Sequence, residues 1–203
     1  MIKTLKAHIR KHIEDNSKAY ILLLIAFAAG FALACLLQRD KMAEEEIKLY
    51  IQNFFSGIAQ AGTSGGRTFS LAMLAYLRYA VILLVSSVAV IGAPIVLILI
   101  GFQGFAFGTV ICSTVSVFGA KAYLLLLCAL LPHILISAPC SLVFSFRCMK
   151  NAYDLFLGDR NIKTNLLLPL LYGALFLLCI SLAALVQAFV EPFLLSSISK
   201  YFV

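Results

Sequence analysis

Charge is what this sequence has least of. Only 12% of its 203 residues are charged, with 9 Asp plus Glu against 16 Lys plus Arg, where globular domains carry about 25%. The few charges cluster between long apolar stretches, hydrophobic residues make up 63% of the chain, and the mean hydropathy is +1.02. That balance excludes a water-soluble domain and intrinsic disorder. It also excludes a soluble catalytic domain, which needs roughly 50 contiguous residues outside the apolar stretches. What remains is an all-α, polytopic membrane protein forming a single membrane domain over the whole chain, 1–203.

A helix that crosses about 30 Å of hydrocarbon needs about 20 apolar residues. Five segments qualify: Ala19 to Leu37, Ala72 to Ile91, Ile95 to Val117, Ala122 to Phe146 and Asn165 to Val190. Helices are the required form, because backbone polar groups inside lipid must pair within the protein and no alternating barrel pattern is present. Gly92-Ala93-Pro94 breaks the second span from the third and predicts two antiparallel helices rather than one overlong element. The first span is longer than a secretory signal core of about 7 to 15 residues, so it reads as an uncleaved helix.

Basic flanks set orientation. Lys3, Lys6, Arg10, Lys11 and Lys18 precede the first span, and Arg147, Lys150, Arg160 and Lys163 follow the fourth. On the opposite side Arg39, Lys41, Lys48, Arg67 and Arg78 are diluted by Asp40, Glu44, Glu45 and Glu46, with Lys121 and Lys200 alone elsewhere. The expected arrangement puts the N-terminus in the cytoplasm and the C-terminus outside. Within the outer segment after the first span, Ile47, Tyr50, Ile51, Phe54, Phe55 and Ile58 recur at helical spacing, so residues 40–60 read as an amphipathic helix on the membrane surface. That stripe can contact lipid, pack on the bundle or dock an extracytoplasmic partner.

Reactive constellations are missing as well. Glu44, Glu45 and Glu46 are consecutive and point around a helix instead of converging on one bond. His8 and His12 lack a third ligand at usable spacing. No nucleophile and base pair is visible, so neither a catalytic residue nor a metal or other cofactor is expected. A nucleic-acid role finds no groove-reading module. The inverted halves of a secondary transporter would need matching broken helices, and no Asp or Glu lies within any of the five spans. Cys35, Cys112, Cys128, Cys140 and Cys179 fall in apolar spans and Cys148 at a span edge; they read as packing residues with no disulfide framework.

Two features within the spans stand out. His133 beside Pro132 places an ionisable group in lipid, where it must find a hydrogen-bond partner; Pro132 and Pro139 together predict that the fourth helix is bent or broken twice. Small residues recur as Ala26, Gly30, Ala34 in the first span and Gly101, Gly104, Gly108 in the third, which suits close helix packing.

The motifs, in their order along the chain, resemble the stage II sporulation protein M family of endospore-forming bacteria. "HIEDNSKAYILLLIAFAAGFALA" is similar to the family's first span, and "LYIQNFFSGIAQAG" to its outer amphipathic stretch. "VIGAPIVLILIGFQGFAFGTV" resembles its Gly-x-Pro turn and glycine motif, carried by Gly92, Pro94, Gly104 and Gly108. "FGAKAYLLLLCALLPHILISAPC" resembles its twice-proline helix, carried by Pro132 and Pro139, and "VQAFVEPFL" is similar in placement. Gln103, Thr109 and His133-Ile134 depart from the residues usual in the family. The resemblance implies a non-enzymatic scaffold in the mother-cell engulfing or septal membrane. Its implied task is to anchor and localise the septal peptidoglycan-degrading complex, with the stage II sporulation proteins D and P as hydrolase partners and membrane lipid as its surroundings. Its implied partner surfaces are the outer segment and the tail from Glu191 onward. The alternative is a small transporter or lipid-handling permease built on His133 and the broken fourth helix.

Overall fold

A computed structural model describes residues 16–37, 65–89, 91–158 and 162–198, and the regular structure in these residues is helical throughout. The helices are α1 (Ser17–Leu37), α2 (Gly65–Val88), α3 (Gly92–Phe118), the short α4 (Ala122–Ala129), α5 (Leu131–Phe156), α6 (Ile162–Leu185) and α7 (Glu191–Ile198). A 3-10 turn, Gly119–Lys121, precedes α4, and a π-helical turn, Val186–Val190, joins α6 to α7. Five helices are long and apolar enough to cross a membrane: Ser17–Leu37, Gly65–Val88, Gly92–Ser116, Leu131–Phe156 and Leu167–Leu194. The outer stripe Ile47, Tyr50, Ile51, Phe54, Phe55 and Ile58 lies outside the described residues, as do His8 and His12.

Proline explains where the helices depart from the spans read off the sequence. The stretch from Ala122 to Phe146 is not one element: the helix stops at Ala129 and a longer one starts at Leu131. Pro132 has no N–H to give the carbonyl four residues back, so the ladder is interrupted there, and Pro132 then sits in the first turn of α5, where the missing donor costs nothing. Pro139, by contrast, lies inside the uninterrupted α5 and does not break the helix. At the other end of α5, Gly158 adopts φ +88° and its N–H bonds the Leu155 carbonyl at 3.1 Å, closing the helix.

The turn between α2 and α3 is held by backbone bonds from Ala89 to Ser86 (3.2 Å) and from Gly92 to Ala89 (2.9 Å). A Cβ at residue 92 would collide with the Ser86 carbonyl oxygen, so this turn requires glycine. Asn151 of α5 is buried beside it and donates to the Ser87 carbonyl at 2.8 Å, satisfying one of the orphan acceptors that end α2.

The core is a single apolar cluster in which Leu23, Leu83, Val96, Ile100 and Ile180 pack around Phe144, Phe146 and Phe176. Phe144 stacks on Phe176 at 4.8 Å and Tyr20 on Phe146 at 4.6 Å. Outside it runs a belt of exposed apolar side chains, among them Leu36, Ile98, Phe102 and Leu170, as a lipid-facing surface requires. The bundle has two distinct ends. One gathers the start of α1, the α2–α3 turn and the end of α5; the other gathers the end of α3, α4, the start of α5 and α7.

Candidate functional site: a buried histidine–glutamate pair

The second end holds a buried ionic contact. His133 occupies the first turn of α5, placed there by the restart at Leu131. Glu191 is the first residue of α7, continuous with the π turn before it, its N–H bonded to the Val186 carbonyl. Its position depends on Pro192: a proline cannot donate to the carbonyl four residues back and its ring crowds that group, here Ala188. The π turn Val186–Val190 takes up the mismatch and carries the chain into α7. His133 Nδ1 and Glu191 Oε1 lie 2.5 Å apart, with both residues buried at 9% and 6% exposure.

Two neighbours complete the cluster. Ser137, one helical turn beyond His133 on the same face of α5, is buried, and Tyr76 of α2 lies close to both Ser137 and Glu191. Three elements therefore meet at one polar point. A carboxylate buried in so apolar a setting is tolerable only while its partner is in place. Chemically the pair can hold a proton between the imidazole and the carboxylate and can fasten α5 to α7; it cannot hold a metal by itself, and among the described residues no group of three His, Cys, Asp or Glu side chains converges.

Two expectations are corrected here. An acid does lie within a span, because the fifth apolar helix continues through the π turn to Leu194 and takes Glu191 with it. Glu191 is also buried rather than offered to partners as the start of a free tail, since α7 folds against α4. The signal in the sequence was incomplete: in a fourth span running from Ala122 to Phe146 His133 lies near the middle, and only the break before Leu131 makes it open a helix at the end where Glu191 closes the fifth.

The small-residue stripes are brought together on a different interface. α1 and α3 form the most extensive helix pair in the bundle. A Cβ on Gly30 would collide with the Gly101 carbonyl oxygen, one on Gly104 with the Phe27 carbonyl oxygen, and one on Gly108 would come within 2.8 Å of Ala34 Cβ. A Cβ on Gly101 would sit 3.4 Å from the Ala26 carbonyl oxygen, an ordinary contact. Backbone thus lies directly on backbone, where packing and weak Cα–H contacts replace the hydrophobic drive absent in lipid. At the far end of the same interface Cys35 and Cys112 are joined as a disulfide with a Cα–Cα distance of 5.9 Å. This corrects their reading as simple packing residues: the glycines below them draw α1 and α3 close enough for the bridge.

Of the remaining residues singled out in the sequence, Pro94 lies in the first turn of α3 beside a surface groove, and Pro139 lines a small apolar hollow with Tyr172 and Phe176. Arg147 is not a simple flanking charge. Its Nη2 donates to the Tyr172 hydroxyl at 2.7 Å and its guanidinium lies 4.5 Å from that ring, tying α5 to α6. Comparison with curated proteins and with solved structures returned no match. The model of the stage II sporulation protein M family matches residues 20–192, a stretch that takes in nearly all of the five apolar helices and the His133–Glu191 pair, and the chain belongs to that family.

Proposed function

We propose that this sporulation membrane protein is a non-enzymatic scaffold that anchors and localises the septal peptidoglycan-degrading machinery during endospore formation. The observation that carries this reading is how the polar side chains within the bundle are used. His133–Glu191, Asn151–Ser87, Tyr79–Ser145 and Arg147–Tyr172 each join one helix to another. Polar groups spent on fastening helices make a rigid frame, which is what a holder of other proteins needs. The hydrolases in this reading are the stage II sporulation proteins D and P, reached through the outer segment between α1 and α2.

The orientation in this proposal puts the N-terminus in the cytoplasm and the Cys35–Cys112 end outside. The basic flanks favour it, and so does the disulfide, since such bonds persist in oxidising compartments. The test is replacement of Phe54 and Phe55 by Ser. Partner co-purification should fall while the protein still inserts in the membrane, and full complex assembly by that variant would remove the outer docking face. The buried histidine–glutamate pair also supports a second reading, a small permease that moves protons or lipid past the broken helix. In that case His133→Ala abolishes function while the complex still assembles; in the scaffold, function and assembly fall together.

A further inference from the structure

At the end of the bundle opposite the histidine–glutamate pair, α1, α3 and α5 enclose an open groove of about 600 Å³, within the range of small-molecule sites, about 300–1,000 Å³. Its walls are apolar, built on Leu22, Leu97 and Phe146, and its mouth carries Lys18, Lys150 and Asp154. Among the described residues neither lysine has an ion-pair partner. Two lysines less one aspartate leave the mouth with a net charge of +1. The first turn of α3 abuts the same groove, and its cap residue Ile91 supplies no side-chain hydrogen bond, so the positive end of that helix adds to the attraction for an anion. The chain preceding Asn16 carries Lys3, Lys6, Arg10 and Lys11 against Glu14 and Asp15, a net basic stretch ill-suited to cover a basic mouth.

We propose that this groove binds one anionic phospholipid of the surrounding bilayer, with an acyl chain along Leu22, Leu97 and Phe146 and the phosphate between Lys18 and Lys150. The combination selects for a molecule that is apolar along most of its length and negative at one end. A soluble anion would leave the apolar walls uncovered, and a zwitterionic lipid would gain less from the two ammonium groups. The inference stands apart from the scaffold and permease readings, because it rests on residues at the other end of the bundle.

The chain has no tryptophan, so Leu22→Trp provides a single fluorescent reporter on the groove wall. Leu170→Trp, on the exposed surface of α6, reports on bulk lipid. Each full-length variant is reconstituted in phosphatidylcholine vesicles containing either brominated phosphatidylglycerol or brominated phosphatidylcholine as quencher. In Leu22→Trp the anionic quencher should show about fivefold tighter relative association, the effect of one net charge near the surface, while Leu170→Trp should show no preference. Adding K18Q and K150Q together should abolish the preference; should that double variant fail to insert, each single substitution, and added salt with the lysines intact, should lower it. Equal quenching of Leu22→Trp by both lipids would overturn the proposal, as would a preference that survives loss of both lysines. Weak quenching by both lipids relative to Leu170→Trp would also overturn it, because the groove would then be filled by polypeptide.

Discussion

At the scale of single residues, the side chains that matter most are those whose partners cannot be replaced by water. His133→Leu leaves the Glu191 carboxylate buried without its imidazole and should cost about 3–5 kcal/mol of stability. Removing both charges in H133L/E191L should cost far less, because no uncompensated group is left, and the coupling appears directly in a double-mutant cycle of thermal unfolding in detergent. The glycines carry a different constraint, one of space. Gly104→Ala drives a methyl group into the Phe27 backbone, which cannot rotate away as a side chain could. The expected loss is about 1–3 kcal/mol, measured by the same unfolding. Gly66 of α2 is the control: nothing lies within 4 Å of a Cβ built there, so Gly66→Ala should be neutral or should stabilise by up to about 1 kcal/mol through its better helix propensity.

Among the elements, α1 and α3 form the best-secured pair, packed through Gly30 and Gly104 and closed by Cys35–Cys112. The bridge spans 77 residues of chain, a loop that includes the outer segment and the whole of α2. Cys35→Ser should therefore lower stability by about 2–4 kcal/mol. A reductant should produce the same loss in the unaltered protein and no further loss in the variant. Thiol alkylation followed by mass analysis should find Cys35 and Cys112 protected until reduction. The C-terminal elements show the reverse economy: α7 is short, is carried by the π turn, and is fastened by Glu191, so its contacts with α4 should be the first lost when His133 is replaced. Hydrogen exchange in α7 rising well before exchange in α1 or α3 would check that order.

For the molecule as a whole, the arrangement makes one end a basic, turn-rich face and the other a face closed by α4, α7 and the disulfide. The proposed orientation predicts that a cysteine placed at Lys18 is labelled only from the cytoplasmic side and one placed at Lys121 only from the outside, in a background where the native cysteines are blocked. Labelling of both from one side would overturn the alternating arrangement. Deletion in a sporulating host, read by membrane staining, should give sporangia with a flat or bulging septum if the scaffold proposal holds, whereas ordinary engulfment would remove it.

The sequence by itself determined the number of apolar helices and the turn at Gly92, because those follow from runs of apolar residues measured against a bilayer and from a local break in the backbone. It also indicated the glycine faces, since periodic small residues serve close approach wherever the helices meet. Only the tertiary structure decided which faces meet, with Gly30 set against Gly101 and the Cys35–Cys112 link beyond them. The same holds for Glu191, whose burial depends on a π turn that brings it back toward a histidine 58 residues earlier in the chain. Hydropathy is additive along the chain and can be counted from letters; pairing depends on the relative rotation and register of whole helices, which no single segment encodes.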